Sequence, residues 1–292
     1  MTMQNVAIGV DVGGTKILCG LVSEDGKVLR SEQRPTRPES LLEDICTAAE
    51  GAREQARALG REVLGAGVAI KGFIDPQAGV LIRSMSLGVH DLPIARKLSQ
   101  RLSLPVRIEN DVHAATVGEM RHGLGSRHNT MIVFNAGTGI SAGLVADGKL
   151  LRGGSGMAGE IGHMVVDAGF PHACKCGRYG CLEDLILRHR RGEPIELAEG
   201  THQDGLTPDY VLLALGIANL VNTLNPTAIA LVGGMFLKNT AVIPAFAVAV
   251  RSSCLASAGS ALGDIRPAAG GYEAGLLGAG TLPFLQVDPI YA

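Results

Sequence analysis

A short order of strands and turns occurs twice in this chain, beginning near residue 6 in the first half and near residue 131 in the second. Each copy has an apolar run, a turn that contains Gly and Thr, a second apolar run, an Asp-Gly pair and the start of a third run. Asp-Gly pairs, here Asp25-Gly26 and Asp147-Gly148, favour tight hairpin turns. The repetition predicts two halves of similar construction, each opening with antiparallel strands.

Further along the first half, apolar runs of strand length alternate with segments of helical periodicity. Strands are predicted at 66–70 and 106–109, and helices at 41–59 and 94–102. This alternation predicts a mixed sheet with helices on its faces. The predicted fold class is therefore α/β, with two domains flanking a cleft that suits a nucleotide.

Composition limits the kinds of partner. With 292 residues, 46% of them apolar, the chain can form one large domain or two medium ones. Aromatic residues make up 3% and tryptophan is absent, which argues against stacking surfaces for single-stranded nucleic acid. The net charge of −2 gives no general attraction to nucleic-acid phosphates or acidic membranes. Neither a nucleic-acid partner nor a membrane is predicted.

The first twenty residues lack the basic segment and apolar core of a signal peptide, which predicts a cytoplasmic protein with reduced cysteines. The uncharged stretch at 210–237 has the length of a membrane span. Three asparagines interrupt it, however, and Pro226 ends any helix before it. A core helix followed by a buried strand at 229–232 is the prediction for this stretch.

The first Gly-Thr turn, residues 11–16, has the groups that bind phosphate; we name it the first glycine loop. Gly13 and Gly14 let backbone N–H groups approach phosphate oxygens. Thr15 adds a hydroxyl and Lys16 a cation. Asp11, at the end of the preceding strand, can position Mg²⁺ directly or through water. The turn leads into a strand, so it differs from a Walker A loop and from the dinucleotide-binding fingerprint.

The second Gly-Thr turn, which we name the second glycine loop, contains Gly137, Thr138 and Gly139 at the same place in the second copy. Either loop alone is also compatible with a glycine-rich hairpin that has no ligand. Two such loops at equivalent positions favour phosphate binding by both.

Three cysteines within eight residues, Cys174, Cys176 and Cys181, predict a metal site. Zinc takes four nitrogen or sulfur ligands in a tetrahedron, so a fourth ligand is needed nearby. His163 and His172 are the candidates. With four protein ligands the zinc is predicted to be structural.

Asp111 follows the strand predicted at 106–109 and is the candidate catalytic base. A carboxylate at a strand end, facing the cleft, can accept a proton from a hydroxyl that attacks phosphorus. The alternative is a helix-capping Asp, since a helical segment follows.

Together these motifs resemble the ROK family of sugar kinases and repressors, within the actin-like ATPase superfamily. The similarity extends over most of the chain. The segments that carry it are 11–16, Asn110-Asp111, 137–139, 159–163, 174–183 and Gly233-Gly234. The resemblance implies two ribonuclease-H-like domains. One has residues 1–112 joined by a C-terminal helix at about 273–292, and the other has residues 113–272 with a zinc loop at 163–183.

The resemblance also implies roles for single residues. Asp111 is the catalytic Asp and Asn110 a sugar ligand. Glu160 and Glu183 are acidic sugar ligands. His163 is the fourth zinc ligand and contacts the sugar as well. The resemblance further implies that Gly233-Gly234 lies on the adenosine side of the nucleotide. It implies ATP and Mg²⁺ as cofactors, beside structural Zn²⁺. It also implies that the protein forms a homodimer.

Several positions depart from the usual family pattern. Ser86 stands in place of a sugar-contacting Asn, and it is kept as a candidate sugar ligand. Lys71 occupies a position where Pro is usual, and Ser141 one where Gly is common. The segment after Glu183 is shorter than the usual helical insert.

The predicted function is ATP-dependent phosphorylation of a hexose, with glucose first among the acceptors. N-acetylmannosamine, N-acetylglucosamine, fructose and allose remain open, as does polyphosphate as the donor. A second class is a catalytically weak sugar-binding regulator. A ROK repressor is disfavoured, because it needs a helix-turn-helix segment ahead of Asp11, where ten residues stand.

Overall fold

The computed structural model of the chain describes residues 5–195 and 205–285. These residues form two compact units. The first unit contains the described residues up to Arg127, then Lys149–Met157, and the described residues from Ala269 onward. The second unit contains His128–Gly148 and the described part of Ala158–Ala268. The sequence placed the boundary after residue 112, inside a helix that the structure assigns entirely to the first unit.

The first unit is built on a five-stranded sheet with the order β3-β2-β1-β4-β8. Its first three strands are antiparallel, and β4 and β8 then run parallel to β1. A second, three-stranded sheet has the order β5-β6-β7. In chain order, the strands are β1 Val6–Val12, β2 Lys16–Ser23, β3 Val28–Pro35, β4 Val63–Ile70, β5 Phe73–Asp75, β6 Val80–Ser84, β7 Val89–Leu92 and β8 Val106–Asn110.

Four helices cover this sheet: α1 Leu41–Ala58, α2 Ile94–Leu102, α3 Asp111–His122 and, from the C-terminal region, α9 Ala274–Thr281. Side chains alternate between the two faces of a strand. Ile8 and Val10 therefore lie in one apolar core with residues of α1 and α2, whereas Gly9 points to the opposite face.

Helix α9 packs unusually close to the sheet. A methyl group added at Gly9 would lie 2.5 Å from the carbonyl oxygen of Leu276, and one at Gly67 would lie 1.8 Å from that of Ala279. Only residues without Cβ fit at such distances. These two glycines let the backbone of α9 contact the backbones of β1 and β4.

The second unit has a sheet with the order β10-β9-β12-β13. Strands β9 and β10 are antiparallel, and β12 and β13 are parallel to β9. Its apolar core lies between this sheet and the helices. In chain order, the elements are β9 Met131–Ala136, β10 Ile140–Ala146, α4 Leu182–Arg190, α5 Pro208–Leu224, β12 Ala228–Val232, α6 Gly234–Leu237, α7 Ile243–Ser253, α8 Ala256–Ala261 and β13 Asp264–Pro267. The short strand β11, Lys149–Leu151, belongs to the first unit.

The strands and helices predicted from the two copies are confirmed, with shifts of a few residues at their ends. The uncharged stretch at 210–237 is the core helix α5 followed by the buried strand β12, as predicted. In the described residues, no helix has the length and apolarity needed to cross a membrane. Part of the polar stretch at 188–209, residues 196–204, lies outside the described residues.

Candidate functional site

The first glycine loop is the turn between β1 and β2. The N–H of Gly13 donates to the carbonyl oxygen of Lys16 at 2.9 Å, which closes the turn. Thr36, just after β3, holds the loop from the side. Its hydroxyl donates to the carbonyl oxygen of Gly13 at 2.9 Å, and its N–H donates to that of Thr15 at 3.1 Å. Thr36 was not among the residues predicted from the sequence, although a Thr at the end of a polar edge strand is a recognisable feature.

Asp11 is the next-to-last residue of β1, where it pairs across the sheet with Leu18 and Ala69. Burial raises the pKa of its carboxyl to about 7, with a further increase from Asp111 and a partial decrease from Lys16. A methyl group at Gly275, in the first turn of α9, would lie 2.4 Å from a carboxylate oxygen of Asp11. The first unit therefore carries a crowded acidic pair, Asp11 and Asp111.

Asn110 and Asp111 have different roles at the start of α3. The side chain of Asn110 caps the helix, accepting from the N–H groups of Val112 at 3.0 Å and His113 at 3.2 Å. Its amide group donates to the carbonyl oxygen of Gly72 at 3.0 Å. The capping role considered for Asp111 thus falls to Asn110, and the role of Asn110 as a sugar ligand stays a prediction.

The pKa of the Asp111 carboxyl is raised, because burial outweighs the stabilising effects of Lys71, of nearby backbone N–H groups and of His113. A carboxylate with a raised pKa is a stronger base than a solvated one. The arrangement can therefore accept a proton at this position.

A buried ion pair lies directly before Asn110. Glu109 is 1% exposed, and its carboxylate accepts hydrogen bonds from the guanidinium of Arg152 at 2.7 and 3.2 Å. The ring of His113 is 3.7 Å from the other carboxylate oxygen, which also accepts from the N–H of Asn110 at 3.1 Å. Burial raises the pKa of Glu109, but His113 and Arg152 outweigh it and the net pKa is lowered. This network supports the turn that carries Asp111, and it was not predicted from the sequence.

Ser86 lies beside the first glycine loop. A methyl group at Gly14 would be 3.6 Å from its Cβ, and its hydroxyl is 3.4 Å from that of Ser84. Ser86 is exposed. Its position in the first unit fits a ligand contact, and the role itself stays a prediction.

The second glycine loop joins β9 to β10. The N–H of Gly137 donates to the carbonyl oxygen of Gly139 at 3.0 Å. Gly233 and Gly234 lie beside it, since a methyl group at Gly137 would be 3.9 Å from both the Cα of Gly233 and the nitrogen of Gly234. The structure thus brings together the second loop and the Gly-Gly pair, which lie about a hundred residues apart in the sequence.

Position 233 can be occupied only by glycine without strain. Its φ is 91°, in the left-handed region. A methyl group there would lie 2.4 Å from the carbonyl oxygen of Ala136 and 2.8 Å from the side-chain oxygen of Asn135. The amide of Asn135 donates to the hydroxyl of Ser141 at 3.3 Å, so both sides of the second loop are held by polar contacts.

His163, Cys174, Cys176 and Cys181 form one cluster, with ligand atoms that all lie within 4.8 Å of one another. The sulfurs of Cys176 and Cys181 are 3.6 Å apart, and the Cys174 sulfur is 3.7 Å from Nδ1 of His163. Zinc bonded tetrahedrally at its usual distances requires ligand separations of about 3.6–3.8 Å. The four residues therefore fit zinc, and His163 rather than His172 completes the set.

The cysteines of this cluster differ in acidity, since burial and the neighbouring cysteines raise the pKa of the Cys181 thiol to about 12. Hydrogen bonds from the N–H and the side chain of Arg178 lower the pKa of the exposed Cys176 thiol to about 6. The Arg178 guanidinium also donates to the carbonyl oxygen of His163 at 3.0 Å. Thiolates are the form in which cysteine binds metals.

Glu183 connects the cysteine loop to the second glycine loop. It is 5% exposed. One carboxylate oxygen accepts from the N–H of Ile140, directly after the loop, at 2.7 Å. The other is 2.5 Å from the ammonium of Lys175, which lies between two of the cysteines. Burial raises the pKa of Glu183, but these two hydrogen bonds outweigh it and lower the pKa. Both oxygens thus have protein partners.

Glu160, by contrast, is exposed at the start of the short turn that ends at His163. Its charge acts on Lys175, as does that of Glu183. Glu160, His163 and Glu183 therefore lie near one another in the second unit. Their roles as sugar ligands stay predictions.

Comparison with known proteins identifies relatives over nearly the whole chain. The ROK family model matches residues 7–190. A glucokinase of Streptomyces coelicolor is 29% identical over 325 aligned positions, which cover 98% of this chain and 100% of the relative.

Two solved structures have the same fold. A ROK hexokinase from Thermus thermophilus is 31% identical with a TM-score of 0.75, covering 97% of this chain and 99% of its own. A ROK family glucokinase from Streptomyces griseus, solved with glucose and AMPPNP, is 27% identical with a TM-score of 0.78, covering 95% and 99%. These similarities confirm the predicted mixed α/β, actin-like ATPase fold.

Proposed function

The chain belongs to the ROK family and is an ATP-dependent sugar kinase, and from this premise we propose that it phosphorylates a hexose, with glucose as the leading acceptor and Asp111 as the base. The observation that carries the proposal is the buried Asp111 carboxylate at the end of β8, in the same unit as Asp11 and the first glycine loop.

The proposed reaction is a single displacement at phosphorus. A sugar hydroxyl oxygen forms a bond to the γ-phosphorus of ATP while the bond between that phosphorus and the bridging oxygen of ADP breaks. The hydroxyl proton passes to the carboxylate of Asp111. The products are a sugar phosphate and ADP, and Asp111 returns its proton to water.

Both glycine loops are proposed to bind phosphate. Residues 13–16 bind the terminal phosphates through backbone N–H groups, the Thr15 hydroxyl and the Lys16 ammonium. Residues 137–139 bind phosphate with backbone groups, and Gly233-Gly234 receives the adenosine side. Mg²⁺ held by Asp11, directly or through water, would neutralise charge on the phosphates.

The proposed sugar ligands are Ser86, Asn110, Glu160, His163 and Glu183. Carboxylates suit hexoses because they accept hydrogen bonds from neighbouring hydroxyls. Structural zinc held by the three cysteines and His163 would keep Glu160, His163 and Glu183 in place.

We also propose a cytoplasmic location, where ATP is available and thiols stay reduced. The six free cysteines are compatible with it. Homodimer formation stays a prediction of the family resemblance.

The test is an ADP-release assay over glucose, N-acetylmannosamine, N-acetylglucosamine, fructose and allose, with ATP and with polyphosphate as donors. Asp111→Asn should lower kcat about 10³-fold or more with the best sugar, since a base and its charge are both lost. Asp91→Asn changes an exposed carboxylate of the same unit and should leave kcat unchanged.

Retention of more than about a tenth of kcat by Asp111→Asn would remove the assignment of the base. No turnover of any sugar by the wild type would overturn the hexose proposal and favour the sugar-binding regulator. Because burial raises the pKa of Asp111, kcat/KM should fall as the pH falls through that raised value, where the base becomes protonated.

A further inference from the structure

Three parallel strands of the first unit end at the same level. Ile70, the last residue of β4, pairs with Val12, the last residue of β1, and also with Asn110, the last residue of β8. The next residue of the middle strand is Lys71. The register therefore places Lys71 between the beginning of the first glycine loop and Asp111.

The backbone of Lys71 is held on both sides. Its N–H donates to the carbonyl oxygen of Val12 at 3.3 Å, and its carbonyl oxygen accepts from the hydroxyl of Ser84 at 2.6 Å. The next residue, Gly72, accepts from the side chain of Asn110 at 3.0 Å. Backbone hydrogen bonds thus hold Lys71 beside the first glycine loop, and the next residue, Gly72, beside the helix cap that precedes Asp111.

The positive charge of the Lys71 ammonium interacts with the carboxylate of Asp111. Its charge opposes the effect of burial and lowers the pKa of Asp111. Lys27 and Lys175 are paired with Asp25 and Glu183. Among the described residues, the ion pairs of 4.0 Å or less do not include Lys71.

A half-buried cation that forms no close ion pair among the described residues, between the first glycine loop and the proposed base, suits an anionic ligand. The phosphoryl group transferred by a kinase carries its charge on three oxygens, and cations placed along its path stabilise the transition state. The first glycine loop already has Lys16 at its far end. Lys71 stands at the opposite end, next to Asp111.

We propose that Lys71 is a catalytic phosphate-binding residue, whose ammonium binds the terminal phosphoryl group while it moves from the nucleotide to the hydroxyl beside Asp111. The proposal rests on the proposed transfer reaction and adds no covalent step. It specifies that Lys71 distinguishes a nucleoside triphosphate from a diphosphate.

The test measures binding by calorimetry, with the β,γ-imido analogue of ATP and with ADP, both with Mg²⁺. Loss of one charge-assisted hydrogen bond to a ligand raises Kd about tenfold or more. Lys71→Met should therefore weaken the triphosphate analogue about tenfold or more and change ADP less than about twofold. Lys71→Arg should keep most of the triphosphate affinity, because it keeps the cation.

Lys97→Met is the matched control, since Lys97 is exposed on α2, and both affinities should stay at the wild-type values. Thermal unfolding checks that each variant is folded, and Lys71→Gln replaces Lys71→Met if the latter does not fold. An equal loss for both ligands, or no loss, would overturn the proposal.

The binding experiment needs no sugar, so it separates this proposal from the proposed function. If the wild type phosphorylates none of the sugars but the triphosphate preference still depends on Lys71, the hexose proposal fails and the phosphoryl site stands. If sugars are phosphorylated but Lys71→Met binds both nucleotides normally with normal kcat, the site fails and the kinase proposal stands.

Discussion

The two glycine loops occupy equivalent places in their units, but different forces hold them. Each is the turn between two antiparallel strands, closed by one backbone hydrogen bond of 2.9 Å in the first loop and 3.0 Å in the second. The first loop has charged neighbours, the carboxylates of Asp11 and Asp111 and the ammonium groups of Lys16 and Lys71. The second contains no titratable side chain and packs against Gly233 and Gly234.

This difference suggests that the first loop takes part in the reaction, whereas the second only binds and positions the ligand. Burial raises the pKa of a carboxyl group, a neighbouring carboxylate raises it further, and the charged form then costs stability. Proteins keep such groups where a reaction needs them. A loop that only offers backbone N–H groups has no such cost and can be stabilised by close packing. The second unit adds the cysteine cluster and Glu183 as further support. The comparison can be tested by removing one feature from each unit.

The largest effect is expected from the cysteine cluster. Cys176→Ser should lower the zinc content, measured by mass spectrometry, from about one ion per chain to a small fraction of that, because structural zinc needs all four ligands. The variant should also unfold at a lower temperature and bind the sugar more weakly. Cys254→Ser, outside the cluster, should keep its zinc. Wild-type protein without zinc would contradict the assignment.

A smaller effect, an increase in stability, is expected when Asp11 is replaced. Its pKa of about 7 in the folded protein lies above the ordinary value of 3.8, so the folded state holds an extra proton between these values. Stability is therefore lost as the pH rises from about 4 to 7. Asp11→Asn removes this loss and should be more stable than the wild type at pH 8, by up to about 4 kcal/mol.

Urea unfolding at pH 8 and at pH 4.5 measures this difference, which should shrink at the lower pH. At pH 8 the variant should lose activity, because Asn cannot replace the charge near Mg²⁺. Equal stability of variant and wild type at pH 8 would show that the acidic pair has no energetic cost, and the contrast between the loops would fail.

The smallest effect is expected from a methyl group added at Gly233, which packs against the second glycine loop. Gly233→Ala combines a φ of 91° with a contact of 2.4 Å to the Ala136 carbonyl oxygen, and should lower the free energy of unfolding by about 2–3 kcal/mol. Gly14→Ala, in the first loop, meets only an ordinary contact of 3.6 Å and should change it by less than about 1 kcal/mol. Similar values for both would remove the distinction in packing.

Much of this arrangement could be predicted from the sequence, because local patterns fix local structure. The duplicated strand order led to both sheets, and the spacing of Cys174, Cys176 and Cys181 led to the cluster that the structure shows. Asn225 and Pro226 marked the end of α5, where Asn225 takes a left-handed conformation.

The contacts that were missed join residues far apart in the chain. Glu109 and Arg152 pair across 43 positions, and Thr36 reaches Gly13 across 23. No periodicity or motif reports such a pairing, since it depends on how the strands are ordered in the sheet. The short sheet β5-β6-β7 was missed for another reason: its strands have only three to five residues, too few for alternation to be visible.

The close packing of α9 against β1 and β4 affects the order in which the protein can form during synthesis. The first strands to leave the ribosome include Gly9 and Gly67, whose face is covered only when residues 274–281 follow. The second unit, made from intermediate segments, has all its strands before that point. The unit that contains the N-terminal strands is therefore the last to be completed, and until then its uncovered face is exposed to chaperones and to aggregation.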